Sequence, residues 1–285
     1  MDQVRLSSHA KINLFLKILS KNSDGYHNIC SLMSKIEFAD LICVKKSRSS
    51  KIVLKSPLNQ AMESDNNLII KAVTLYDKNF GLDFGLEIEL LKYLPIAAGL
   101  GGGSSNAATT LIALTMLDSK NVSIEDLKPV AIELGSDVPF FLQYKGAIVE
   151  ATGGEVTKFN LPKKFDILLA KPKFSISTKD SYQNSTFDFL TPFDKQKTIS
   201  TFLTGDLNRI SQVMVNDLEQ YALDNYQELV DLKLSIESLP TPPLKTLLAG
   251  SGSTLLAFFN NPGEIKIAIK QLKSENLLLR QSATL

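Results

Sequence analysis

Apolar and polar positions alternate over residues 10–19 and again over 27–46, which predicts two strands joined by a turn at Asp24-Gly25. "DNNLIIKAVTLYDKNF" (65–80) switches to helical spacing, with an Asx residue at its start as the natural cap. "GLEIELLKYL" (85–94) returns to strand alternation. "SSNAATTLIALTMLD" (104–118) predicts a helix rich in alanine and leucine. "SIEDLKPVAIEL" (123–134) predicts another, with Ser123 and Asp126 suited to a capping box. "GAIVEATGGEVTKF" (146–159) has the pattern of a hairpin through Gly153-Gly154. "LPKKFD" (161–166) reads as a boundary, which divides the chain into domains 1–160 and 161–285. Beyond it the pattern predicts a strand at 167–171, a polar stretch, helices near 206–219 and 225–238, a strand at 254–259 and a last helix at 263–274. Strands and helices that do not alternate strictly point to α+β rather than a doubly wound sheet.

Composition narrows the function classes. The chain has 285 residues, 44% of them hydrophobic and 21% charged, enough for two cores. A net charge of +1 gives no electrostatic footprint for nucleic acid or an anionic membrane. No apolar run approaches the ~20 residues of a membrane span. Lys11 and Lys17 interrupt the first apolar stretch, which is not a signal-peptide layout. Two cysteines, Cys30 and Cys43, are too few for a disulfide scaffold and read as free thiols in a reducing compartment. With His9 and His27 as its two histidines, the chain offers no zinc-type cluster.

The densest chemical signal is "LPIAAGLGGGSSNAATTL" (94–111), between a predicted strand and a predicted helix. A helix N-terminus presents about four unpaired N–H groups and a partial positive charge. Glycines beside it let the backbone approach an anion and adopt positive φ. Two familiar phosphate templates fail: there is no Gly-Lys-Ser/Thr triplet, and Ser104 stands where a dinucleotide fingerprint needs its third glycine. A flexible linker is the plain alternative, but Pro95, Ala97 and Ala98 before the glycines and the alanines after them suggest tight packing around a shaped loop.

Other candidates are weaker on their own. Lys11, with Asn13 two residues on, is either solvated at a strand edge or turned into a cleft. Asp137, ahead of Val-Pro-Phe-Phe, suits a helix cap as well as a catalytic carboxylate. Tyr26 and His27 follow a turn; an aromatic ring would stack on a pyrimidine and an imidazole would bond its polar edge, yet a packed tyrosine beside a surface histidine is equally ordinary. Gly250, Ser251, Gly252 and Ser253 form a second glycine-rich turn, which would also serve between two core strands.

Taken in order along the chain, these blocks resemble the motifs of the GHMP kinases, the family of galactose, homoserine, mevalonate and phosphomevalonate kinases. The run from Pro95 to Ala108 is similar to their phosphate-binding motif, "AKINLFL" (10–16) to the first motif, "GSDVPFF" (135–141) to the aspartate block and "LLAGSGSTLLAFF" (247–259) to the third motif. The third motif departs from the commoner Met-Ser-Gly start, with Ala249 in place of the hydroxyl. "DGYH" (24–27) and "SISTKDSYQ" (175–183) resemble the branch whose acceptor is a diphosphocytidyl sugar alcohol, a step of the non-mevalonate route to isoprenoid precursors; Ser181 there replaces the branch's usual alanine.

The resemblance implies the two-domain α+β GHMP kinase fold, with the active site in the interdomain cleft. It implies ATP, whose triphosphate would be wrapped by Pro95, Ile96, Ala97, Ala98, Gly99, Leu100, Gly101, Gly102, Gly103, Ser104 and Ser105, with Mg²⁺ nearby and Ser104 or Ser105 as its ligand. Lys11 and Asp137 would be catalytic, Asp137 accepting or orienting the proton of the acceptor hydroxyl. Asn13, Tyr26, His27 and Tyr182 would bind substrate, with cytosine between the two tyrosine rings. Gly250, Ser251, Gly252 and Ser253 would position the nucleotide loop and the acceptor arm. Asn216 and Asp217, in the family-like block "NDLE", would bond backbone near the third motif. The expected protein is a bacterial cytoplasmic kinase of a small cytidine diphosphate substrate, a monomer or weak homodimer, with no nucleic-acid or membrane partner. Mevalonate, homoserine or sugar kinases, and a non-catalytic nucleotide-binding relative, are the alternatives.

Overall fold

The computed structural model describes the backbone of residues 1–285 and the side chains of all but Ala61 and Gln143. In chain order the strands and α-helices are β1 (Gln3–Lys21), β2 (His27–Ser47), β3 (Ile52–Lys55), α1 (Leu68–Phe80), β4 (Gly85–Leu91), α2 (Gly102–Leu117), α3 (Ile124–Leu134), α4 (Val138–Gln143), β5 (Gly146–Ala151), β6 (Glu155–Lys158), β7 (Asp166–Pro172), α5 (Thr178–Asn184), α6 (Lys195–Leu203), α7 (Leu207–Val213), α8 (Glu219–Asn225), α9 (Gln227–Glu237), β8 (Lys245–Leu248), β9 (Leu255–Phe259), α10 (Pro262–Leu272) and β10 (Leu277–Ala283). None of the helices is long and apolar enough to cross a membrane, among the described residues.

Contacts divide the chain into two units. One comprises Met1–Ala10, Phe38–Ile96 and Gly101–Tyr144; the other comprises Lys11–Glu37, Ala97–Leu100 and Lys145–Leu285. This division differs from the single cut expected near residue 160. The reason lies in the length of β1 and β2, 19 and 21 residues, whose ends join different units. Residues 41–47 of β2 pair antiparallel with β4, whereas residues 29–34 pair antiparallel with β5.

In the first unit β3 pairs parallel with β4, and α1 to α4 pack on one another around α2. Nearly every residue of α2 from Ser105 to Leu117 that is not on its outer edge is buried, so the helix is apolar or small all round rather than amphipathic. Helix α1 starts where Asn67 accepts from the amide of Ile69 and stops at Gly81, φ 74°. Helix α3 carries the expected capping box, Ser123 and Asp126 each bonding the other's backbone.

In the second unit an antiparallel sheet runs β10-β7-β9-β8. Leu168 and Ala170 of β7 and Leu255, Ala257 and Phe259 of β9 alternate onto one face, where Leu229, Leu232 and Ile236 of α9 and Ile265 and Ala268 of α10 cover them. Burial of this apolar face stabilises the unit at ~25 cal/mol per Å² removed from water. The hydrophobic pattern does not anticipate strands β8 and β10 or helices α5 and α6. The helix expected at 206–219 is two helices, α7 and α8, separated at Met214–Leu218 by a segment that bridges to β1 at Leu16.

Candidate active site

The glycine run adopts the backbone its composition requires. Gly99 and Gly101 have φ of 75° and 66°, and Ala97 also has positive φ, 48°. Gly101 caps α2 in the left-handed conformation with no side-chain bond to the first turn. The 16-residue helix therefore begins two residues earlier than the pattern predicts, with Gly102 and Gly103 in its first turn. A Cβ on Gly103 would meet only Leu68 Cδ1, at 3.4 Å. The N-terminus of this long helix, with glycine at its first two positions, fits a phosphate group. Of the two candidate serines, Ser104 is half-buried, whereas Ser105 is buried and accepts from the hydroxyl of Ser8 at 2.8 Å. Among the described residues no cluster of three or more His, Cys, Asp or Glu side chains is placed to hold a metal ion.

The run is anchored from below by a carboxylate that sequence reasoning missed. Asp40 of β2 is 1% exposed. One oxygen accepts from the amides of Tyr93 and Leu94, at 2.7 and 2.8 Å. The other accepts from Lys92 Nζ at 2.5 Å and from Asn106 Nδ2 at 2.9 Å. Asn106 also donates to Ser8. Asp40 thus ties the strand end before the run to the first turns of α2. Lys92 Nζ lies 3.1 Å from where a Cβ on Gly102 would stand, so this positive charge beside the helix start is already paired with Asp40.

Residues 97–100 belong to the second unit. The amide of Lys11 donates to Leu100 at 3.0 Å. A Cβ on Gly99 would sit 1.8 Å from the carbonyl oxygen of Ala249, so only glycine fits there. Lys11 is 5% exposed, and its ammonium donates to Asn13 Oδ1 at 2.8 Å. Asn13 donates to Ser31 Oγ at 2.8 Å, and Ser31 donates to the carbonyl of Phe15 at 2.6 Å. Gly250 closes on this pair: its Cβ would lie 3.4 Å from Lys11 Nζ and 3.6 Å from Asn13 Oδ1. The structure therefore brings Lys11, Asn13, Gly99 and the third motif together.

The rest of that turn is tied by its hydroxyls. Ser251 shares a hydrogen bond of 2.8 Å with Thr178, and Ser253 donates to the carbonyl of Phe174 at 2.6 Å. At Ala249 the backbone takes part: its amide donates to Thr254 and its carbonyl accepts from Gly252. Asn216 bonds this turn as expected. Asp217 does not; it accepts instead from the amide of Ile18 and the ammonium of Lys17, on β1.

His27, Tyr182 and Phe187 cluster in the second unit. The His27 ring lies 5.5 Å from that of Tyr182 and 5.2 Å from that of Phe187. His27 is 8% exposed, and burial followed by the Lys21 charge pushes it below its ordinary value, favouring the neutral imidazole. Tyr26 is 65% exposed, its amide donating to Asp24 in the turn. Asp137, in the first unit, is half-buried at the N-cap position of α4, and its carboxylate makes no cap bond there. Both cysteines are free thiols; Cys30 is buried and pushed up to about 11, mainly by that burial.

A family profile of the GHMP kinases N terminal domain matches residues 67–144, the span from the start of α1 to the end of α4. Solved structures of a homoserine kinase from Cytophaga hutchinsonii (TM-score 0.75, 17% identity, covering 100% of this chain and 95% of that one) and of a mevalonate kinase (TM-score 0.70, 13% identity, 98% of each) share the fold. A solved structure of 4-(cytidine 5'-diphospho)-2C-methyl-D-erythritol kinase is closer, with TM-score 0.82 and 27% identity over 99% of both chains. Relatives named 4-diphosphocytidyl-2-C-methyl-D-erythritol kinase are 33% identical in Clostridioides difficile, over 95% of this chain and 92% of theirs, and 36% identical in Thermodesulfovibrio yellowstonii, over 92% and 91%. The chain belongs to the 4-diphosphocytidyl-2-C-methyl-D-erythritol kinase family.

Proposed function

We propose that this protein transfers the γ-phosphoryl group of ATP to the 2-hydroxyl of 4-diphosphocytidyl-2-C-methyl-D-erythritol, in the cytoplasm of a bacterium that makes isoprenoid precursors by the non-mevalonate route. The observation that carries this reading is the identity of 33–36% with relatives named for that one kinase, over more than nine-tenths of either chain. The homoserine and mevalonate kinases are similar in fold alone.

The residues take the following roles in this reading. The start of α2, from Gly101 to Ser104, offers backbone N–H groups to phosphate oxygens, each such charged bond contributing about 1.5–3 kcal/mol. Ser104 is the hydroxyl best exposed to hold Mg²⁺, which when bound would neutralise charge on the phosphates. Lys11 supplies a fixed cation, held in orientation by Asn13 and Ser31. Asp137 accepts or orients the proton of the acceptor hydroxyl. The neutral His27, steadied by Tyr182 and Phe187, hydrogen-bonds the polar edge of the base, and Tyr26 and Tyr182 offer rings to its faces.

The test is ADP release with the diphosphocytidyl substrate, with wild type beside Lys11→Met and Asp137→Asn. The expected result is substrate-dependent release by wild type and a loss of roughly 100-fold or more in either variant, with ATP binding retained. Near-normal turnover in one variant would remove that residue from the chemistry.

A further inference from the structure

The segment Val215–Leu218, which includes the start of the "NDLE" block, joins β1 to the third-motif turn within the second unit. On one side its backbone is laddered to β1: the amide of Leu16 donates to Val215 at 2.8 Å and the amide of Asp217 donates to Leu16 at 3.0 Å. Asp217 adds its carboxylate, which accepts from the Ile18 amide at 2.8 Å and from Lys17 Nζ at 2.7 Å. On the other side Asn216, 4% exposed, donates from Nδ2 to the carbonyl of Leu248 at 2.8 Å and to that of Gly250 at 2.7 Å. Its Oδ1 accepts from the amide of Leu218 at 3.0 Å. Gly250, so held at φ 51°, faces the pair: a Cβ added to it would lie 3.4 Å from Lys11 Nζ and 3.6 Å from Asn13 Oδ1.

We infer that Asn216 is a positioning residue for Lys11, acting through Gly250. It fixes the third-motif turn to the strand that carries the lysine, and so sets the space in which the Lys11–Asn13 pair is confined. The inference rests on the reading of Lys11 as the cation of the reacting site. The chemistry explains the residue type. Two carbonyls and one amide converge on a single short side chain, which needs two donors and one acceptor, and a primary amide supplies both. An aspartate of the same size keeps the acceptor but turns a second one toward the carbonyls. An alanine leaves two buried carbonyls without this partner.

The test compares Asn216→Asp and Asn216→Ala with the full-length wild type, each confirmed as folded by its circular dichroism. The first readout needs no turnover: competitive acetylation of lysines, quantified by mass spectrometry, with Lys92 of the other unit as internal reference. Lys11 should label at least about threefold faster in both variants. The second readout is kinetic. The kcat should fall about 10- to 100-fold while the KM for both substrates moves less than about threefold. In a Lys11→Met background the same substitution should have almost no further effect on kcat. The Asn216→Asp variant should also recover relative to wild type as pH falls, because a protonated carboxyl regains one donor. Unchanged Lys11 labelling in the folded Asn216→Asp protein overturns the inference, as does an equal loss of kcat with and without Lys11. A wild type that labels as expected but transfers no phosphoryl group instead overturns the functional reading alone.

Discussion

Replacing Asp40 by asparagine takes the charge from a buried pair while barely changing its volume. The side chains of Asp40 and Lys92 are 0% and 6% exposed. The introduced amide would still accept from the backbone N–H groups of Tyr93 and Leu94, but its own N–H₂ would face the donors of Lys92 and Asn106. Removing one partner of a buried pair leaves the other charge uncompensated, at a cost of about 3–5 kcal/mol. At ~2–4 °C per kcal/mol this lowers the thermal midpoint by roughly 6–20 °C. Lys92→Met should cost less, because Asp40 keeps three donors. The double variant should be more stable than the sum of the single losses implies. Hydrogen exchange localises the effect: the amides of Ser105 and Asn106 in α2 should lose protection before those of β7. A loss below about 1 kcal/mol in Asp40→Asn, or strict additivity in the double variant, would refute the claim that this pair anchors the glycine run.

Two further outcomes follow from the site. Gly99→Ala places a methyl group 1.8 Å from the Ala249 carbonyl oxygen at a φ of 75°, so the turn must move. The left-handed conformation alone costs about 1–2 kcal/mol, and turnover should fall on the order of 100-fold, as for a misplacement of about 1 Å; a variant with wild-type stability and turnover would show that the 97–100 segment does not need this packing. The second concerns His27, followed by NMR titration of its ring protons. Its folded value is depressed by burial and then by Lys21, so the unfolded chain takes up the proton first as pH falls. Its contribution to stability is therefore complete above 6.5 and is lost as pH falls through the folded value. A titration midpoint at or above 6.5 would contradict the buried, neutral imidazole.

What the sequence disclosed follows the range of the forces involved. The caps at Asn67 and Ser123 and the positive φ at Gly99 and Gly101 are local, so residue type announces them. Asp40 is not local: its partners lie more than fifty residues away, and an acid in a strand otherwise reads as a solvated position. Ring partners are hard to read for another reason. Two adjacent rings look alike in the sequence, yet His27, the first residue of β2, lies against Tyr182 and Phe187 while Tyr26, just before the strand, is exposed. Strand β10 forms because β7 supplies a seven-residue antiparallel register, which nothing in "LLLRQSA" itself declares. The role of Gly250 likewise depends on Lys11, far upstream, and on Asn216.

The most direct test of the account is the identity of the product. The protein, ATP, Mg²⁺ and an equimolar mixture of 4-diphosphocytidyl-2-C-methyl-D-erythritol, mevalonate and homoserine are incubated together, and the products are resolved by mass spectrometry and phosphorus NMR. The account predicts one new phosphomonoester, on the 2-hydroxyl of the cytidine-bearing substrate, formed in step with ADP. Phosphomevalonate or phosphohomoserine with the cytidine substrate untouched, or ADP formed with no new phosphomonoester at all, would contradict it.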